Sequence, residues 1–66
     1  MKFIVDTMLG TLAKWLRVLG FDTIYETDLD DDEILSIAER DGRTIISRDR
    51  ELCKRKSDSI FLQQMG

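Results

Sequence analysis

The sequence predicts a small α/β protein, a parallel sheet in an α/β/α sandwich, with the element order β-α-β-α-β-α-β. Three observations predict it. Short apolar runs rich in β-formers alternate with stretches of helical periodicity, glycines stand where the helices should stop, and no proline, repeat or low-complexity stretch interrupts the series. Alternation of this kind implies right-handed crossovers and a sheet covered by helices. At 66 residues the chain holds one domain, 1–66. A chain this size buries only about 60% of its unfolded surface, so its stability is marginal.

Each element has its own signal. Met1 to Val5 is a short run with β-branched members, fit for a buried strand and ended by Asp6. From Met8 to Leu19 the apolar positions Leu9, Leu12, Ala13, Leu16 and Leu19 recur at helical spacing, with Lys14 and Arg17 on the polar side. Trp15 falls off that stripe and is expected to pack. Gly20 is placed for a left-handed C-terminal stop. Thr23 to Glu26 reads as the second strand. Asp30 and Glu33 have capping-box spacing, and Ile34, Leu35, Ile37 and Ala38 supply the buried stripe of a second helix that ends near Asp41-Gly42. Thr44 to Ser47 is the third strand. Arg50 to Lys56 is a short helix in which Glu51 stands four residues before Arg55, and Cys53 is expected as a small buried hydrophobe on it. Ser59 to Leu62 is the last strand, and Gln63 to Gly66 reads as a frayed end.

Composition removes whole classes of chemistry. There is no histidine, which excludes the Ser-His-Asp triad, the Cys-His dyad and every histidine metal site. A single cysteine excludes an intrachain disulfide and a four-thiolate zinc site. No apolar run approaches a membrane span and no signal-peptide pattern opens the chain, so a cytoplasmic protein without membrane contact is expected. Net charge is -3, but its distribution is uneven. Seven acids and no base lie between Asp22 and Glu33; seven bases and three acids lie between Arg40 and Lys56. One reading is solvated helix faces. The other is an acidic pocket beside a basic rim, suited to a divalent cation with a polyanion laid across it.

Parallel sheets collect ligands beyond the carboxyl ends of their strands. Asp6 follows the first strand, Asp31 lies in the loop entering the second helix, and Asp49 follows the third strand. Held close, three carboxylates would repel one another unless a cation neutralised them, and a hard ion such as Mg2+ or Mn2+ suits all-oxygen donors. Such an ion can activate water and polarise a phosphoryl oxygen, the equipment for phosphodiester hydrolysis without histidine. Each acid also precedes a helical pattern, where aspartate is a favoured N-cap. Arg48, beside Asp49, could stabilise phosphate charge or pair with a neighbouring acid, and Ser47 could support the acids as a hydrogen-bond donor. Lys14 and Arg17 could hold a flanking phosphate or simply be a solvated face. Trp15 has a second reading as a stacking surface for an RNA base.

The segments FIVD-x-MLG-x-LAKWLR-x-LG-FDT, DL-x-DDEIL-x-IA and R-TIISRDREL resemble the Mut-seven-C ribonuclease domain family, a branch of the PIN-like nucleases, over about sixty residues. The resemblance implies a three-layer α/β/α sandwich and metal-dependent cleavage of single-stranded RNA. It assigns Asp6, Asp31 and Asp49 as catalytic metal ligands, Asp49 through the turn Ser47-Arg48-Asp49. Arg48 is read with them as charge-stabilising, and Lys14, Arg17 and Arg48 as RNA-binding. The wider PIN-like family carries a fourth acid, for which Glu26 and Asp28 are the candidates. Members of the closer family often continue into a zinc ribbon of paired Cys-x-x-Cys motifs, which these residues do not contain. A homodimer covering exposed sheet or completing a groove stays open. The alternative function is a catalytically inactive PIN-like module that binds RNA or a protein partner. A haloacid-type phosphatase is third, because Asp6-Thr7-Met8 lacks its Asp-x-Asp pair.

Overall fold

The computed structural model describes residues 1–6 and 9–62. Seven elements follow the expected order: β1 (Lys2–Val5), α1 (Gly10–Val18), β2 (Asp22–Tyr25), α2 (Asp31–Asp41), β3 (Thr44–Ser47), α3 (Arg50–Lys54) and β4 (Ile60–Phe61). The strands form one parallel sheet in the order β2-β1-β3-β4. Thr7, Met8 and the stretch expected to fray, Gln63 to Gly66, lie outside the described residues.

Side chains alternate along each strand, and the alternation builds two cores. Phe3, Val5 and Ile46 face α1, packing with Leu9 and Ala13. Ile4 and Ile45 face the other way, packing with Ile34 and Ala38 of α2 and Leu52 of α3. One helix therefore covers one face of the sheet and two cover the other. Ile4 and Ile45 are fully buried, and burial of one such side chain contributes about 1.5–3 kcal/mol.

Helix ends follow local chemistry. Asp30 caps α2 in a full capping box: its side chain accepts from Glu33 N, and the Glu33 carboxylate accepts from Asp30 N. Gly42, at φ 66°, closes the same helix in the left-handed conformation that only glycine adopts without strain. Gly20, at φ 94°, does the same after α1.

Several sequence expectations shift. The second strand runs Asp22–Tyr25 rather than Thr23 to Glu26, and the last shrinks to Ile60–Phe61. The third helix stops at Lys54, so Glu51 pairs with Lys54, while Arg55 reaches Asp32 of α2 instead. Leu19 and Trp15 are exposed, Trp15 at 60%, because both stand clear of the side of α1 that meets the sheet. Cys53 is only half-buried.

The amino edge of the sheet is closed by a buried cation. Arg43, 7% exposed, precedes β3. Its Nη1 donates to the Phe3 and Asp22 carbonyl oxygens and to Asp22 Oδ1, and its Nε donates to Asp41 Oδ2. The planar guanidinium thus ties the starts of β1 and β2 to the entry of β3, a fork geometry that lysine cannot reproduce.

Candidate active site

Strand β1 leads through α1 to β2 on one side, whereas β3 lies on its other side. The connections therefore part between β1 and β3, the switch point at which a parallel sheet opens a crevice beyond its carboxyl ends. Asp6 and Ser47 stand there. The ladder continues one step past β1, with Asp6 N donating to Ile46 O at 3.0 Å. Register then brings Asp6 level with Ser47, on the face that carries α2 and α3.

Ser47 is fully buried and connects two of the three acids. Its Oγ donates to Asp6 Oδ2 at 2.7 Å and accepts from Asp49 N at 2.9 Å. The first bond has the ordinary length of an O–H···O hydrogen bond. The second turns the chain out of β3, so that Asp49 leaves the line of the strand and starts α3. Asp49 Oδ1 in turn accepts from Glu51 N and Leu52 N, capping α3.

The capping alternative separates the three acids. Asp49 is a cap, in addition to its place at the switch point. Asp6 is not: the N-cap position of α1 is Leu9, without a side-chain bond. Nor is Asp31, because Asp30 holds that position and Asp31 is the first residue of α2 rather than part of the loop before it. The structure joins Asp6 and Asp49 through Ser47 and leaves Asp31 exposed at the start of α2. Among the described residues, no group of three or more Asp, Glu or Cys side chains converges closely enough to hold a metal ion. A pair of carboxylates still fits magnesium, which is commonly held by one or two carboxylates together with substrate phosphates. The second oxygen of Asp49 accepts no hydrogen bond from the described residues, and every donor in the pair is a hard oxygen. Glu26 and Asp28 are exposed in the turn after β2.

Cys53 registers both acids. Burial is the main cause that pushes its thiol above the ordinary range; the Asp49 charge adds to it, and Asp6 adds less. The Sγ lies 3.9 Å from Ser47 O and 3.7 Å from Ile60 O.

The expected basic rim is largely consumed by pairing. Arg40 and Arg43 bind Asp41, Lys54 binds Glu51, Arg55 binds Asp32, and Lys56 binds Asp58. Among the described residues, Arg48 and Arg50 have no ion pair, and they flank Asp49. The guanidinium of Arg50 lies 5.2 Å from the centroid of the Phe61 ring. Sequence reasoning assigned neither Arg50 nor Phe61; the parallel register that sets Phe61 beside Ser47 has no local signature. Lys14 is exposed on α1 with Thr11, Trp15 and Val18. Arg17 Nε donates to Thr23 O, level with Phe3 and so roughly 10 Å back along the strands from Asp6. No helix among the described residues is long and apolar enough to cross a membrane.

Residues 1–65 match the family model of the Mut7-C RNAse domain. No curated protein and no solved structure gives a significant match.

Proposed function

The chain belongs to the Mut7-C RNAse domain family, which suggests a nuclease-like role, and from that premise we propose that it is a metal-dependent ribonuclease hydrolysing phosphodiester bonds of single-stranded RNA. The observation that carries the proposal is the Asp6–Ser47–Asp49 chain of hydrogen bonds at the switch point of the sheet. Two acids that follow different strands are linked there by a buried hydroxyl, which binds the Asp6 carboxylate and the Asp49 backbone N–H. Alongside stand two arginines that have no ion pair among the described residues.

Asp6 and Asp49 would hold the ion, Mg2+ or Mn2+, and Asp31, exposed at the start of α2, is the third carboxylate that the family resemblance assigns to it. The ion supplies Lewis-acid polarisation of a phosphoryl oxygen and lowers the pKa of the attacking water. Ser47 fixes the Asp6 carboxylate by donating to Oδ2, which keeps that side chain in one orientation. Arg48, exposed beside Asp49, donates to the phosphate as negative charge develops on its oxygens. Lys14 and Arg17 hold flanking phosphates of the RNA.

The test is cleavage of end-labelled single-stranded RNA in Mg2+, in Mn2+ and in chelator, with the Asp6→Asn variant purified alongside. Metal-dependent cleavage by the parent protein, lost in the variant, is the expected result. Identical traces from the two proteins overturn the proposal. If RNA is then bound saturably without turnover, and Asp6→Asn does not change that binding, the chain is an inactive RNA-binding module.

A further inference from the structure

We infer that Phe61 and Arg50 form a nucleotide-binding subsite of the same centre, in which the base beside the scissile phosphate stacks on the Phe61 ring and Arg50 contacts its phosphate. The inference rests on the ribonuclease reading and assigns two residues that the reading does not use.

Register places the ring. Ser47 pairs with Phe61 across β3 and β4, and residues paired in a parallel ladder point to the same face. Asp6, Ser47 and Phe61 therefore stand in one row, on three neighbouring strands, on one face of the carboxyl edge. Adjacent strands are about 4.8 Å apart, so the ring lies one strand from the buried serine and two from Asp6. Phe61 ends the last described strand and is 37% exposed.

Charge points the same way. Five of the seven bases between Arg40 and Lys56 are matched to carboxylates; among the described residues Arg48 and Arg50 are not, and Arg50 is placed over an aromatic ring instead. A guanidinium over a ring keeps its N–H donors directed outward in its own plane, available to a phosphate. Ring and cation together are the pairing that single-stranded nucleic acids meet elsewhere: a π-face for the base and a positive group for the backbone.

The test uses the full chain and a short single-stranded oligoribonucleotide, either intact or abasic beside the cut. Binding is measured by fluorescence anisotropy in the Asp6→Asn background and cleavage in the parent. Phe61→Leu keeps an apolar side chain and removes the stack; it is expected to weaken binding and raise KM about tenfold on intact RNA, with little change on abasic RNA. Phe61→Trp should remain within about twofold of the parent, and Arg50→Gln should weaken both substrates equally. The inference is overturned if Phe61→Leu matches the parent, or if it weakens intact and abasic RNA alike, the mark of a structural role. The parent protein alone is informative should Phe61→Leu fold poorly, since equal affinity for intact and abasic RNA also overturns it. Loss of cleavage by every protein defeats the ribonuclease reading but leaves the base-dependent binding difference to decide the subsite.

Discussion

The two edges of the sheet use the same kinds of residue to opposite ends. At the amino edge, Arg43 is surrounded: two backbone carbonyls and two carboxylates absorb its donors. At the carboxyl edge, Asp6 and Asp49 are tied to a serine and to backbone N–H groups, and the neighbouring arginines are left without carboxylate partners. Charge satisfied inside the protein holds strands together. Charge left facing outward is available to a ligand. A chain with 13 acids and 10 bases cannot be sorted into these roles by composition; position at one edge or the other sorts it.

This contrast predicts a double dissociation. The largest effect belongs to Asp6→Asn and Asp49→Asn, each expected to abolish RNA cleavage while moving the thermal midpoint little. Asparagine is nearly isosteric and remains a good N-cap, so α3 keeps its start in the Asp49 variant. Next is Arg43→Ala, with the opposite signature. It leaves the Phe3 and Asp22 carbonyls without their donor and should cost about 2–3 kcal/mol, a figure held down because the Asp22 side chain is 59% exposed and stays hydrated. For a domain this small that corresponds to roughly 10–20 °C in melting temperature, read by circular dichroism. Cleavage per folded molecule at low temperature should be unchanged. A severe activity loss in Arg43→Ala below its melting transition would erase the distinction between the edges.

Ser47→Ala sharpens the comparison, because this one side chain serves both purposes. Removing its hydroxyl leaves the Asp49 N–H without its acceptor, at a cost of about 1–2 kcal/mol, and removes the donor that orients Asp6 Oδ2. Loss of a residue that orients a metal ligand typically lowers activity or metal affinity 10–100-fold. Ser47→Thr, which retains the hydroxyl, should recover part of the activity; a kcat unaffected by Ser47→Ala would remove Ser47 from the site.

Much of the fold was legible because its signals are local. The Asp30–Glu33 box, the glycine stops and the alternation that divides Ile45 from Ile46 all act within a few residues. Asp31 shows how narrow that legibility is: in a run of three aspartates the capping box belongs to Asp30, and the neighbour becomes helical instead of lying in the loop. Arg43 was illegible for a different reason. Its carbonyl acceptors lie 40 and 21 residues away, and a carbonyl has no residue identity to read. Trp15 depended on which side of α1 meets another layer, which periodicity alone does not reveal. For the candidate site, the acids and Ser47 as a supporting donor could be picked out one by one, but that the serine joins Asp6 to Asp49 required the β1–β3 register.

The smallest expected effect lies in the one thiol that faces the carboxyl edge. Burial and the nearby Asp49 and Asp6 charges all disfavour the Cys53 thiolate, so its titration lies above the ordinary thiol range. The sign follows directly: only the thiolate reacts with iodoacetamide, and at neutral pH this cysteine is held as the thiol. Its alkylation rate should rise with pH about a midpoint higher than that of the denatured chain. Asp49→Asn removes the stronger of the two charges and should lower that midpoint; Asp6→Asn should lower it less. Asp41→Asn, at the other edge, should leave it where it is. Equal shifts from all three variants would show that Cys53 senses overall charge rather than the two acids near it.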